Sequence, residues 1–71
     1  MTGEEKFGRN LSMARRRLAV SQETLAKMAG LNRNTVYLLE NDKRVPRLDT
    51  IWLLARALGV KPSELVDGLR P

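Results

Sequence analysis

The sequence predicts an all-α fold built from five short helices. Apolar residues recur at helical spacing along most of the chain, and no run alternates apolar and polar residues as a strand does. Polar capping residues and glycine or proline stops divide the chain into five segments. The 71 residues are enough for one small domain. We expect that domain to span residues 1–71, with a core from about residue 4 to residue 67 and a tail over residues 68–71.

The first predicted helix runs from about residue 4 to residue 18. Thr2 and Glu5 have the spacing of a capping box, in which each side chain binds a backbone N–H at the start of the helix. Apolar residues at i, i+4, i+7 and i+11 give this helix one apolar face. That face comprises Phe7, Leu11, Ala14 and Leu18.

The second and third helices are predicted over residues 22–29 and from residue 33 to about residue 40. Ser21 and Asn32 are of the types that cap helix N-termini, and each directly precedes one of the two helices. Gly30 ends the second helix, because glycine adopts the left-handed conformation cheaply. The inward-facing residues of the pair are Leu25, Ala26, Ala29, Val36 and Leu39.

The fourth helix is predicted over residues 48–58 and a short fifth helix over about residues 62–66. Gly59 ends the fourth helix, and Pro62 lies in the first turn of the fifth, where proline is tolerated. We expect Trp52 to be a partly buried packing residue. The predicted inner face of the fourth helix comprises Leu48, Ile51, Leu54, Ala55 and Leu58.

The charge of the chain favours a polyanionic partner. Thirteen Lys and Arg residues against eight Asp and Glu give a net charge of +5. Four of the acids lie near the ends, so residues 6–63 hold 12 basic and 4 acidic residues. Such a basic body suits nucleic acid, although it could also be an ordinary solvated surface.

Composition also excludes several classes of function. The chain has no cysteine, so it has neither disulfides nor a thiolate metal site, and it has no histidine, the commonest general base. An enzyme is therefore the weakest hypothesis, and we expect no cofactor and no metal. The longest apolar run is far below the length that crosses a bilayer, so we expect a cytoplasmic protein without a membrane partner.

The strongest local pattern is a helix-turn-helix over residues 22–40. Two short helices are joined by a few residues around Gly30, and the small Ala26 allows the helices to cross closely. The second of these helices then presents polar residues at its N-terminus, where Arg33 can bind guanine O6 and N7 and Asn34 can bind adenine N6 and N7. Neighbouring positions complete a predicted set of base-contacting residues, which is Asn32, Arg33, Asn34, Tyr37 and Leu38.

The chain resembles the phage-repressor and Cro-like (XRE) helix-turn-helix family. The matching stretches are residues 18–26, 34–37, 39–41 and 56–65. They include the Ser21-Gln22 opening of the second helix and the Ala-Leu-Gly-Val close of the fourth. The resemblance covers roughly residues 7–67, and it implies the compact five-helix fold of lambda-repressor-like domains.

The resemblance also implies residue roles. Arg15 and Glu40 match a pair that forms an internal salt bridge in some members of the family. Arg33, Asn34 and Leu38 match base-facing positions. The predicted phosphate-contacting residues are Ser21, Gln22, Asn41, Lys43, Arg44 and Arg47.

Three positions leave alternatives open. Asp42 stands where the family commonly has glycine; aspartate can form the same left-handed turn, but it would bring a carboxylate near phosphate. Leu38 stands where members often carry a polar residue, and it could contact a thymine methyl or be partly buried. The hydroxyl of Tyr37 could contact the DNA backbone, or the ring could simply pack.

Apolar residues near the C-terminal end predict a homodimer, because one helix-turn-helix this small contacts too few base pairs for useful specificity. The candidate dimer residues are Leu53, Val60, Pro62, Leu65 and Leu69. Leu65 could instead close the core. The leading expectation is a sequence-specific regulator of transcription that binds a near-palindromic operator in double-stranded DNA. The alternative is an antitoxin or adaptor whose main partner is a protein, which Trp52 and Leu53 motivate.

Overall fold

The computed structural model describes residues 3–68, and they form five α-helices with no strand among them. The helices are α1 (Gly3–Leu18), α2 (Gln22–Ala29), α3 (Arg33–Glu40), α4 (Leu48–Leu58) and α5 (Pro62–Leu65). The predicted all-α class and the five segments are confirmed, with boundaries that differ by one residue at most. The predicted capping box at Thr2 and the dimer residue Leu69 lie outside the described residues. None of the five helices is both long and apolar enough to cross a bilayer.

Side-chain caps fix the boundaries of the two central helices. Ser21 Oγ accepts a hydrogen bond from the Thr24 backbone N–H at 3.0 Å, and Asn32 Oδ1 accepts one from the Asn34 N–H at 2.7 Å. Gly30 ends α2 with φ of 71°, a conformation that costs other residues roughly 1–2 kcal/mol. The turn between α2 and α3 therefore needs only three residues.

The core lies where the five helices meet, and each of them contributes at least one buried residue. The short helix α2 packs against α3 and α4, while α1 crosses α3 and α5. Every residue of the core is apolar, since no polar or charged residue of the described chain is buried as a whole. The buried apolar residues are Phe7, Leu11, Ala14, Leu25, Ala26, Ala29, Val36, Leu39, Leu54, Ala55, Leu58 and Leu65.

Three apolar residues lie outside this core, contrary to the sequence-based prediction. Leu18 is 41% exposed and Leu48 is 79% exposed, although helical spacing assigned both to inner faces. Each is the terminal residue of its helix, where the chain turns away from the core before a neighbouring helix can cover it. Trp52 is 63% exposed rather than partly buried, because it lies on the side of α4 opposite the core.

Helix α1 approaches the end of α3 most closely at Gly8, which is buried. A Cβ atom at this position would lie 2.7 Å from the Glu40 carbonyl oxygen and 2.8 Å from the Leu39 carbonyl oxygen. Real Cβ atoms essentially never come that close to another atom. The glycine therefore permits a backbone-to-backbone contact that fixes the distance between the two helices.

The side chain of Asn10 joins α1 to the end of α5. Its side-chain amide donates to the Leu65 carbonyl at 2.9 Å and to the Asp67 carbonyl at 2.9 Å. Leu65 is the last residue of α5, so its carbonyl would otherwise lack a helical partner, and Asp67 lies in the turn that follows. Asn10 thus attaches the last helix to α1.

Candidate nucleic-acid interface

Helix α3 exposes one side and buries the other. Val36 and Leu39 are buried, whereas Arg33 and Asn34 are exposed at the N-terminus of the helix. Tyr37 follows Arg33 after one turn and is 47% exposed. The five predicted base-contacting residues therefore lie together on the surface, in the first two turns of the helix and its cap.

The structure distinguishes among these five residues. Leu38 lies one turn after Asn34 and is half-buried, so both alternatives for it, partial burial and contact with a thymine methyl, remain open. Asn32 is the N-cap of α3, and its side-chain oxygen Oδ1 already accepts a hydrogen bond from the Asn34 backbone N–H. A bidentate contact with adenine needs both an acceptor and a donor on one amide. Asn34 is therefore better placed than Asn32 to make that contact.

A hydrogen-bonded network joins α3 to the helices beside it. Arg15 Nε lies 2.6 Å from Glu40 Oε2, and Arg15 Nη2 donates to Glu40 Oε1 at 3.0 Å. Arg15 Nη1 also donates to the Val20 carbonyl at 2.9 Å, in the loop before α2. Gln22 Nε2 donates to Glu40 Oε1 at 3.2 Å. One carboxylate therefore links the end of α1 and the start of α2 to the end of α3.

The electrostatics of this network are simple. The hydrogen bond that Arg15 donates to the Glu40 carboxylate raises the pKa of Arg15 above its ordinary value, although partial burial acts in the other direction. The guanidinium is therefore charged at every pH at which the protein would be studied. Since one amide hydrogen of Gln22 is directed to Glu40, the Gln22 side chain is held in place at the start of α2.

The loop after α3 carries the remaining predicted phosphate-contacting residues. Lys43 and Arg44 are exposed, and Arg44 Nη1 lies 3.4 Å from the Thr35 hydroxyl on α3. Asn41 is exposed and donates to the Tyr37 carbonyl at 2.9 Å, which closes the end of α3. Arg47 is the N-cap residue of α4, and its side chain is exposed. Ser21 and Gln22 lie at the start of α2, where Gln22 contacts Glu40, so both the start of α2 and the loop after α3 adjoin the C-terminal end of α3.

Asp42 lies in the loop after α3 and is half-buried. Its φ of 58° confirms the left-handed turn that the sequence suggested. One carboxylate oxygen, Oδ1, is buried next to Gly8 in α1. At least one of the two carboxylate oxygens therefore points towards α1.

The predicted dimer residues do not all reach the surface. Leu53 is exposed, and Val60 and Pro62 are half-buried. Leu65 is completely buried, because α5 turns it towards α1 and α4; it closes the core and cannot contribute to an exposed dimer surface. Among the side chains that the structure describes, those of residues 7–68, there is no group of three or more acidic residues that could hold a metal ion.

Sequence reasoning missed three residues that shape the interface. Gly8 and Asn10 position α1, and Thr35 holds Arg44. Gly8 carried a usable signal, since glycine inside a predicted helix costs stability and indicates a close contact. Nothing in the sequence pattern distinguished Asn10 or Thr35 from other polar helix residues.

Comparison with known proteins shows which family has this architecture. A family model described as helix-turn-helix matches residues 11–65. An uncharacterised HTH-type transcriptional regulator of Sinorhizobium fredii is 36% identical over 59 residues, which cover 83% of this chain and 77% of that protein.

Two solved structures share the fold. The restriction-modification controller protein C.AhdI of Aeromonas hydrophila is 42% identical, with a TM-score of 0.85 and coverage of 87% of this chain and 94% of that one. A hypothetical transcription factor from Neisseria is 32% identical, with a TM-score of 0.85 and coverage of 89% and 72%. This chain belongs to the phage-repressor and Cro-like (XRE) family of helix-turn-helix DNA-binding transcriptional regulators.

Proposed function

We propose that the protein is a sequence-specific regulator of transcription that binds a near-palindromic operator as a homodimer, with α3 in the major groove. The observation that carries this proposal is the N-terminal half of α3. There Arg33 and Asn34 project from a helix whose other side is locked into the core. The proposal assigns the protein no catalytic activity and no cofactor, and it places its action in the cytoplasm.

Base contacts come from the exposed side of α3. Arg33 binds guanine through a bidentate pair of hydrogen bonds, and Asn34 binds adenine in the same manner. Tyr37 and Leu38 lie one turn further along the helix, where they meet the next bases or the sugar edge. Each good bidentate pair contributes roughly 1–3 kcal/mol of discrimination against the wrong base.

Phosphate contacts come from both sides of α3. The start of α2 offers Ser21 and the second amide hydrogen of Gln22, and the following loop offers Asn41, Lys43 and Arg44. Arg47 extends the basic surface towards α4. These contacts fix the position of the protein on the duplex but carry no sequence information.

A homodimer explains how so small a domain could be specific. Two copies of α3 placed about 34 Å apart would meet successive major grooves on one side of the duplex. Leu53 in the middle of α4, and Val60 and Pro62 just after that helix, are apolar residues with exposed area, so they are available to a second copy.

Selection from random double-stranded DNA tests the proposal. We expect enrichment of two inverted half-sites with centres about 10 base pairs apart. Enrichment of a single unpaired half-site would overturn the homodimer but keep the sequence-specific contacts. No enrichment at all would overturn specific DNA binding.

A second candidate function is that of an antitoxin or adaptor whose main partner is another protein, with DNA binding used for autoregulation. The exposed indole of Trp52 favours it, since large exposed apolar side chains often mark protein interfaces. Affinity purification from the native host tests it, and recovery of no stoichiometric protein partner would contradict it.

A further inference from the structure

Helix α4 is apolar on two opposite sides. Its inner side supplies the core residues Ile51, Leu54, Ala55 and Leu58. Its outer side carries Asp49, Trp52, Leu53 and Arg56, at the i, i+3, i+4 and i+7 spacing that places residues on one face of a helix. We call these four residues the outer face of α4.

Two large apolar side chains occupy the middle of the outer face. Trp52 is 63% exposed and Leu53 is 37% exposed. A surface helix normally carries polar residues opposite its core side, and a helix that is apolar on two sides is usually buried on both. The outer face is therefore the part of α4 that gains most from being covered.

The charges of the outer face are arranged symmetrically about these apolar residues. Asp49 lies one turn before the Trp52–Leu53 pair and Arg56 lies one turn after it, about 10 Å apart along the helix. The midpoint between residues 49 and 56 falls between residues 52 and 53. The face is therefore complementary in charge to its own copy turned through 180°.

An antiparallel pair of α4 helices uses this complementarity twice. A two-fold axis through the midpoint places Asp49 of each copy opposite Arg56 of the other, and Trp52 of each copy beside Leu53 of the other. A parallel pair would instead place Asp49 beside Asp49 and Arg56 beside Arg56, which costs electrostatic energy. The charge pattern thus favours one orientation of one partner.

Neither charge is held in a buried ion pair within one chain. Asp49 Oδ1 lies 3.5 Å from Arg47 Nε and accepts a hydrogen bond from the Thr50 backbone N–H at 2.8 Å, and the Asp49 and Arg47 side chains are well exposed. Such exposed ion pairs contribute little, so Asp49 can exchange Arg47 for another cation at small cost. Among the described side chains, those of residues 7–68, Arg56 takes part in no ion pair.

We propose that the outer face of α4 binds a second copy of this chain, antiparallel about a two-fold axis between Trp52 and Leu53, with reciprocal Asp49–Arg56 ion pairs. This inference rests on the proposed homodimer and identifies the surface that forms it. A standard interface covers roughly 800 Å² of each partner, and the chain exposes 4811 Å² in all. An 11-residue helix is only about 16 Å long, so α4 alone is too short to form an interface of that size. The outer face therefore forms the centre of the contact, and Val60, just after α4, extends it.

The first measurement uses the wild-type chain. Trp52 is the sole tryptophan, so its fluorescence reports on the outer face alone. Sedimentation equilibrium should show a dimer that dissociates on dilution, and the emission of Trp52 should shift to longer wavelength over the same concentration range. A chain that stays monomeric, with the emission of an exposed indole at every concentration, would overturn the proposal and leave the outer face to a different protein.

The second measurement reverses one charge at a time. Asp49→Arg and Arg56→Asp should each weaken the homodimer by at least about tenfold, because each creates two like-charge contacts across the axis. An equimolar mixture of the two variants should recover association close to that of the wild type, since the mixed dimer has opposite charges at both contacts. Loss of folding in a single variant would not be rescued by mixing, and circular dichroism of each variant alone records it.

Matched controls come from the exposed Glu23–Lys27 pair on α2, whose atoms lie 3.6 Å apart. Glu23→Arg and Lys27→Asp reverse similar charges on another face and should leave the dimer unchanged. Single variants of α4 that associate like the wild type, or a mixture that fails to recover, would overturn the antiparallel pairing. If the wild type still dimerises and selects paired half-sites, the proposed function stands and only the assigned surface is wrong.

Discussion

Arg15 Nε and Glu40 Oε2 lie 2.6 Å apart, and this ion pair joins the end of α1 to the end of α3. The Arg15 side chain is 14% exposed and the Glu40 side chain 5%. Because Glu40 also accepts from Gln22, the same carboxylate sets both the tilt of α3 and the position of a proposed phosphate contact. The proposed binding mode therefore gives Glu40 a part in both folding and DNA binding.

Glu40→Gln should destabilise the protein by about 3 kcal/mol, because it leaves the charge of Arg15 without its carboxylate in a shielded position. The melting temperature should fall by roughly 10–20 °C for a domain of this size. Urea denaturation measures the change, and Glu23→Gln is the control. The Glu23–Lys27 pair is exposed, so its loss should cost less than about 1 kcal/mol. Equal losses in the two variants would contradict the structural role of Glu40.

Arg33→Ala should weaken binding to the selected operator by about 1–3 kcal/mol and relax the preference at one base pair in each half-site. Arg33 is exposed on α3, so folding should be unaffected. Fluorescence anisotropy with the operator and with a set of single-base variants measures both effects. A variant that keeps the wild-type base preferences would show that another residue makes this contact.

Lys43→Ala should weaken binding to all DNA sequences nearly equally. Its ammonium group lies in the exposed loop after α3 and is proposed to contact phosphate alone. The slope of log binding constant against log salt concentration should become shallower by about 1. Titrations at four salt concentrations, on the operator and on random DNA, provide the test. An unchanged slope would remove Lys43 from the phosphate-contacting set.

Gly8→Ala should destabilise the protein by about 1–3 kcal/mol, although alanine is the better helix former. The added methyl group would meet two backbone carbonyls at the end of α3, and backbone atoms cannot move aside as a flexible side chain can. Arg9→Ala, at the next and exposed position, is the control and should change stability by less than about 0.5 kcal/mol. A gain in stability for Gly8→Ala would mean that α1 and α3 can separate at no cost.

Local patterns were enough to predict the helices. Ser21, Asn32 and Gly30 act through atoms within a few residues along the chain, so their capping roles follow from the sequence alone. The exposed side of α3 was predictable for a related reason, because burial of Val36 and Leu39 fixes which residues point outwards.

Most of the errors concern contacts between distant segments. Helical spacing predicted inward directions for Leu18 and Leu48, but it could not show where the covering helix ends. Trp52 is different, since it lies outside the apolar face of α4 that the spacing itself defines. The inward position of Asp42 Oδ1 depends on the space that Gly8 leaves on another helix. The burial of Leu65 likewise depends on how α5 packs against α1.

The close contact at Gly8 limits how far the protein can change its shape in the proposed complex with DNA. The backbone of α1 lies against the last carbonyls of α3, so this end of α3 cannot move closer to α1. In the proposed complex, a misfit between protein and groove is then accommodated largely by bending or twisting the duplex, and the cost of that deformation depends on base sequence. Operators with flexible pyrimidine–purine steps between their half-sites should therefore be preferred, at base pairs that no side chain reaches.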